Sequence, residues 1–284
     1  MITYPNVKIN LGLNVLEKRP DGFHNLETLF VPYTGISDCL EIICGDDYSR
    51  TLAGLKERYG SSLVQAISPD GKLMITIARK EGVDWDPLKD LTAKAYALLA
   101  ADFDLPPMKI FLEKRAPVGA GLGGGSADAA FALRSIATLG NLALSDEVLA
   151  AYAARLGSDC AFFLYNRPML AGGRGEILED YPLSLEGMHL EVLVPEGISV
   201  STAEAYRGIV PHRPEKPLRE VLAQPVETWR SELHNDFEPS VFARHPRLAA
   251  LKDALYARGA LYAAMSGSGS ALFGLFPSQS VAGK

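Results

Sequence analysis

The chain is short of cysteine, of positive charge and of long apolar runs, and each shortage closes off a class of protein. Its three cysteines, Cys39, Cys44 and Cys160, form an odd set without metal-ligand spacing. That argues against a disulfide framework or a zinc site and suits reduced thiols in a cytoplasmic protein. Basic residues number 28 against 34 acidic ones, a formal net charge of −6, so no nucleic-acid partner is expected. No uninterrupted apolar stretch approaches the roughly 20 residues a membrane span needs, so no membrane partner is expected either. Met1-Ile2-Thr3-Tyr4-Pro5 shows neither the basic nor the apolar region of a signal peptide. Nothing in the sequence speaks to oligomeric state.

What is present is ample apolar content, 48% of 284 residues, enough for two domains with substantial cores. Short apolar runs predict strands at 7–15, 40–44, 73–78, 109–113, 190–194 and 271–276. Helices are predicted at 91–102 behind an Asp90 cap, at 145–156 between Ser145 and Gly157, and at 247–258 ahead of Gly259. The two kinds of element do not alternate regularly, which favours α+β over a doubly wound parallel sheet. No internal repeat is evident. The polar stretch 45–71, with a helix-like run at 52–59, reads as a surface insertion, and the proline-rich 211–217 as a loop. A domain boundary falls near 156–173.

The most informative passage is Pro117-Val118-Gly119-Ala120-Gly121-Leu122-Gly123-Gly124-Gly125-Ser126-Ala127. Its five glycines free the backbone N–H groups to close around an anion. A helix is predicted to follow over 126–139, with apolar positions at Ala130, Leu133, Ile136 and Ala137. The loop therefore ends at a helix N-terminus, with roughly half a positive charge and several unpaired donors. A phosphate suits that place. Lys-Ser or Lys-Thr at the helix start would mark a GxxxxGK[ST] loop, but Ser126-Ala127-Asp128 stands there. Gly119, Gly121 and Gly124 satisfy GxGxxG, yet 114–117 separates the preceding strand from the glycines, and no acid closes a following strand as a dinucleotide site requires. A plain glycine-rich turn is the remaining alternative.

The loop resembles the phosphate loop of the GHMP kinase superfamily. Four further motifs occur around it in that family's order: Val7-Lys8-Ile9-Asn10, Arg19-Pro20-Asp21-Gly22-Phe23-His24, Leu156-Gly157-Ser158-Asp159-Cys160-Ala161-Phe162-Phe163, and Ser266-Gly267-Ser268-Gly269-Ser270. The resemblance covers nearly all of the chain. It implies an α+β, two-domain GHMP kinase fold: a domain like ribosomal protein S5 domain 2 over 1–158 and a ferredoxin-like domain over 159–284. It also implies transfer of phosphate from ATP, with Mg²⁺, to an alcohol carrying a cytidine diphosphate handle. No protein ligand is assigned to the metal.

Residue roles come from the same resemblance. Asp159 matches the catalytic acid that takes the hydroxyl proton, although an isolated aspartate in such a turn is by default a turn or capping residue. Lys8 matches the active-site lysine and is implied to pair with Asp159. Alternation leaves its side undecided, because Asn10, Gly12 and Asn14 share its face, and a solvated strand lysine is the default. Asn10 is a hydrogen-bonding neighbour. Phe23, by default a buried aromatic, is implied to stack on a cytosine while His24 meets the base edge. Thr202 and Tyr206 complete that pocket, Tyr206 as the second stacking ring. Gly267, Ser268 and Gly269 are secondary contacts to the phosphate loop, in a segment that by itself reads as a flexible turn. Cys160 reads as packing, and His189, His212, His234 and His245 as surface or packing residues. The competing readings are a related kinase with a different alcohol, and a nucleotide-binding module without catalysis, which would need neither Lys8 nor Asp159.

Overall fold

The expected strands form where short apolar runs allow both faces of a pleated segment to be buried. The computed structural model describes residues 1–278; residues 279–284, part of a terminal stretch on whose order the sequence is silent, lie outside the described residues. In the first half the strands are β1 (Ile2–Thr3), β2 (Asn6–Lys18), β3 (His24–Ser37), β4 (Cys39–Cys44), β5 (Val64–Ile67), β6 (Leu73–Arg79) and β7 (Met108–Lys114). The helices are α1 (Leu52–Tyr59), α2 (Leu91–Ala100), α3 (Gly124–Leu139), α4 (Asp146–Leu156) and α5 (Cys160–Tyr165). In the second half β8 (Met169–Gly172), β9 (Ile177–Asp180), β10 (Met188–Leu193), β11 (Tyr262–Met265) and β12 (Leu272–Pro277) follow, with short helices between β10 and β11. Among the described residues no helix is long and apolar enough to cross a membrane.

The chain divides into two compact units, each assembled from separate stretches. The first takes Met1–Val7, Pro32–Val118 and Gly123–Asn166; the second takes Lys8–Val31, Gly119–Leu122 and the chain from Arg167 on.

In the first unit five strands pair in the order β1-β4-β7-β6-β5, with β6 and β7 parallel and the other neighbours antiparallel. Period-two alternation gives this sheet two distinct faces. Leu40, Ile42, Ile75, Ile77, Ile110 and Leu112 are buried on the face that carries α2 and α3, where the Cys44 thiol reaches the Leu139 carbonyl. On the other face Ile43, Ala78 and Phe111 pack against Leu52, Leu55 and Tyr59 of α1. The stretch 45–71 is therefore more than a surface insertion. The 52, 55, 59 spacing puts an apolar stripe on one side of α1, and Leu55 is fully buried beneath it. The capping expectations hold: Asp90 accepts from the Thr92 N–H at 2.9 Å, and Ser145 from the Val148 N–H at 3.4 Å.

In the second unit one sheet runs β2-β3-β8-β9 and another β10-β12-β11, the latter wholly antiparallel. Val241, Leu248 and Leu255, from helices Glu238–Arg244 and Pro246–Ala257, pack with Ala263, Met265 and Leu272 of the three-stranded sheet. Leu13 and Val15 of β2 belong to the same core.

Candidate active site

The second unit gathers Lys8, Asn10, the loop stretch 119–122 and the glycine-serine segment around one buried polar centre. β2 is buried continuously from Asn6 to Val15, so its two faces are equally enclosed and alternation carries no sidedness. Lys8 is 3% exposed, which overturns the solvated default. Its ammonium donates to Asn10 Oδ1 at 2.5 Å and to the Gly121 carbonyl at 3.4 Å, and lies 4.8 Å from the centre of the Phe30 ring. The Asn10 amide donates to Thr28 Oγ1 at 3.0 Å, and the Thr28 hydroxyl donates to the Gly12 carbonyl. Each buried polar group in this chain of contacts thus has a stated partner, as burial demands.

The glycine-serine segment is not a flexible turn. Ser266 and Ser270 are buried, the Ser266 N–H donates to the Ala271 carbonyl at 2.9 Å, and Asn235 Nδ2 donates to the carbonyls of Met265 and Gly267 at 2.7 and 2.8 Å. It is fastened to the phosphate loop. The Ser266 hydroxyl donates to the Gly121 carbonyl at 2.9 Å, and the Ala271 N–H to the Ala120 carbonyl at 3.1 Å. A Cβ on Gly121 would stand 2.1 Å from the Ser266 carbonyl oxygen, so only glycine fits. Gly267 abuts Gly121 in the same way, the Ser268 hydroxyl stands 3.5 Å from that of Thr202, and Gly269 turns with a positive φ.

The rest of the loop belongs to the first unit. Pro117 is half-buried and Val118 half exposed. Along the whole loop Gly119, Gly121 and Gly123 take φ of 71°, 77° and 71°, the left-handed turns that let N–H groups converge as in an anion-binding nest. Ala120 and Leu122 are buried and anchor the loop between those turns, and the Lys8 N–H donates to the Leu122 carbonyl at 2.9 Å. Gly123 caps α3 in the left-handed conformation, so the helix starts at Gly124, two residues before the expected Ser126. The first backbone bond back to the cap comes from Ala127, which leaves the N–H groups of Gly124, Gly125 and Ser126 ahead of the helical ladder. Gly125 is exposed and Ser126 half-buried. This is a fit for an anionic phosphate chain.

Beneath that helix start lies a cluster that sequence reasoning missed. The Lys114 ammonium donates to Asp38 and, at 2.5 Å, to Asp128 Oδ2; the other Asp38 oxygen accepts from the backbone N–H groups of Arg115 and Ala116. Gly124 sits on top, where a Cβ would come within 3.1 Å of Ala116 Cβ and 3.7 Å of Lys114 Nζ. Complete burial pushes the Asp128 carboxyl well above its ordinary range, with Asp38 adding to the rise and Lys114 opposing it. Burial works against the Lys114 ammonium, but the two carboxylates outweigh it and raise its pKa. A lone acid before one strand and a lysine ending another gave no signal that they meet.

Asp159 stands at the N-cap position of α5, half-buried, with no side-chain capping bond to that helix. The neighbouring Cys160 thiol is fully buried, and burial pushes its pKa up to about 12 although the Ser126 hydroxyl hydrogen-bonds it. A thiol held neutral in this way is packing, as expected, and no nucleophile.

In the second unit Phe23 is 53% exposed rather than buried. It tops a tight turn in which the Arg19 N–H donates to the Phe23 carbonyl at 2.8 Å and the Phe23 N–H to Asp21 at 3.1 Å, and the Arg174 guanidinium lies 4.8 Å from its ring centre. His24 stacks on Tyr206 with ring centres 4.6 Å apart and planes 22° apart, and Tyr206 meets Phe237 edge to face. Burial, helped by Lys18, holds the His24 pKa below its usual value, so the ring is neutral at pH 7 and offers one donor and one acceptor. Arg174, absent from the sequence-derived set, shares the Phe23 face. Among the described residues no three His, Cys, Asp or Glu side chains gather as a metal cluster.

Comparison with known proteins places the whole chain in a family. The family model for the GHMP kinases N terminal domain matches residues 90–167, and that for the GHMP kinases C terminal matches 218–284. The curated 4-diphosphocytidyl-2-C-methyl-D-erythritol kinase of Bacteroides fragilis is 47% identical over 278 residues, 97% of this chain and 92% of its own. The enzyme of that name from Nitratidesulfovibrio vulgaris is 36% identical, covering 95% and 87%. A crystal structure of 4-(cytidine 5'-diphospho)-2C-methyl-D-erythritol kinase superposes with a TM-score of 0.74 at 30% identity, over 97% of this chain and 90% of that one. Homoserine kinase from Cytophaga hutchinsonii, at 18% identity and a TM-score of 0.64 over 97% and 86%, shares the fold.

Proposed function

This chain belongs to the GHMP kinase family, and on that premise we propose that it phosphorylates the 2-hydroxyl of 4-diphosphocytidyl-2-C-methyl-D-erythritol with ATP. The products are the 2-phosphate and ADP, in the non-mevalonate route to isoprenoid precursors. The observation that carries the choice of substrate is the near full-length identity with the curated Bacteroides fragilis enzyme of that name. The glycine loop supports the choice of donor, because its turns and the free first turn of α3 suit a triphosphate tail.

In this reading the loop residues from Pro117 to Ala127 hold and aim the phosphates. The substrate hydroxyl oxygen forms a bond to the γ-phosphorus as the bond to the ADP oxygen breaks, and Asp159 receives the hydroxyl proton. Lys8, kept in place by Asn10 and the Gly121 carbonyl, offsets negative charge on the group in transit. Mg²⁺ bound with ATP would neutralise phosphate charge, held by phosphate oxygens and water more than by side chains. Phe23, His24, Thr202 and Tyr206 would select the cytidine handle, and Gly267, Ser268 and Gly269 brace the loop. A cytoplasmic location suits such a reaction.

A coupled ADP-release assay across candidate alcohols tests the assignment. Turnover is expected with the cytidine-bearing alcohol and not with homoserine, mevalonate or galactose; the reverse preference would reject it. Phe23→Ala and Tyr206→Ala should each raise KM for that alcohol about tenfold, on the roughly 1–3 kcal/mol of one ring–base stack, and leave KM for ATP unchanged. Equal effects on both constants would remove the handle.

A further inference from the structure

The stretch 45–71 takes no part in the phosphate site, yet it walls a cleft of about 450 Å³ within the first unit. The cleft lies on the sheet face turned away from α2 and α3. Strand register shows how it is floored: Gln65, Thr76 and Phe111 stand opposite one another across β5, β6 and β7. Met74, Lys109 and Ile43 make the next row on the same face of β6, β7 and β4. α1 adds Leu52 and Lys56.

Two observations distinguish this cleft from an ordinary surface groove. Its rim is built. The buried Glu41 carboxylate accepts from the Ser49 hydroxyl at 2.6 Å, the Arg50 and Thr51 N–H groups at 2.9 and 3.0 Å, and the Thr51 hydroxyl at 2.7 Å. Burial pushes that carboxyl up, and these bonds outweigh it and hold it below its ordinary range. Its charge is unbalanced: two lysines, Lys56 and Lys109, line it with one acid, Asp47, and among the described residues neither lysine is in an ion pair.

We propose that this cleft binds a small organic anion with an apolar body, its head between Lys56 and Lys109 and its body over Leu52, Met74 and Phe111. The volume falls in the range of small-molecule pockets, and the mix of apolar floor and few polar groups is theirs. The site is separate from the one that holds ATP in the reading above and does not depend on it.

The probe is 8-anilinonaphthalene-1-sulfonate, an aromatic body with a sulfonate head, titrated by fluorescence into the full chain with saturating ATP present. One saturable site is expected, undisturbed by ATP, with N-phenyl-1-naphthylamine, which lacks the sulfonate, bound more weakly. The double variant Lys56→Glu/Lys109→Glu should weaken dye binding about tenfold or more while ADP release persists. Leu52→Trp, which fills the floor, should abolish it; if that variant fails to fold, Lys56→Gln/Lys109→Gln carries the test, with a smaller loss expected. Displacement of the dye by ATP, equal affinity in the charge variants, or no saturable binding would each overturn the proposal.

Discussion

Lys8 and Lys114 are the same residue in the same setting, apolar strands that bury them to 3% and 6% exposure, and their surroundings give them different work. Lys114 meets two carboxylates inside its own unit, and the cluster carries one more negative charge than positive if all three ionise. Such a group is bound to structure: its charge is satisfied and cannot be lent elsewhere. Lys8 is held by an amide oxygen, a backbone carbonyl and the face of a ring. These contacts orient the ammonium at the start of β2. In the proposed reaction Lys8 is oriented toward a phosphoryl group, whereas Lys114 pins a helix start.

The contrast is broken most sharply by kinetics. Asp159→Asn should keep ATP binding and lose about 10²–10⁴ of kcat, the usual worth of an acid–base partner. In the proposed reaction Lys8→Met should lose about 10²–10³ of kcat with KM for ATP nearly unchanged. Near-normal turnover in either would dissolve the catalytic half of the comparison. Next in size, Lys114→Met should cost about 3–5 kcal/mol in urea unfolding, since it strands two buried carboxylates. A loss of activity without loss of stability would show that Lys114 belongs with Lys8 after all.

The smallest effect concerns pH. Asp128 has its folded pKa raised by burial, so the folded state holds that proton more tightly than the unfolded chain does. The stability it gives is complete below an unfolded value of about 4 and is lost as pH rises through the folded one. Wild-type urea midpoints should therefore fall from pH 5 to pH 8, and Asp128→Asn should flatten that slope. Parallel slopes would mean that Lys114 keeps Asp128 ionised throughout.

Much of the scaffold was open to reading from residues alone. Strands at 40–44, 73–78 and 109–113 are short apolar runs bounded by polar residues, and Asp90 and Ser145 announce their helices by side-chain chemistry. β3 escaped because His24–Ser37 mixes polar and apolar residues without period two and contains Pro32 and Gly35; its place comes from pairing with β2 and β8. The solvated reading of Lys8 failed for the same physical reason that β2 lacks sidedness. In the candidate site the glycine loop was legible because its conformation is written in its own residues. Contact of the 266–270 segment with that loop came from the family resemblance alone, and the Asn235 brace and the Asp38–Lys114–Asp128 cluster from neither source, because each joins residues between 14 and 145 positions apart that have no pattern in common.

The clasp on Gly121 also has a bearing on how the protein is made. The carbonyls of Ala120 and Gly121 find their donors at Ala271 and Ser266, the latter 145 positions further along the chain. A nascent chain stopped after β10 has already synthesised the whole glycine loop, yet the Ser266 and Ala271 donors that fasten the loop's middle are still missing. A ribosome-bound fragment that stops there should consequently ignore nucleotide, and one that extends through β12 should bind it.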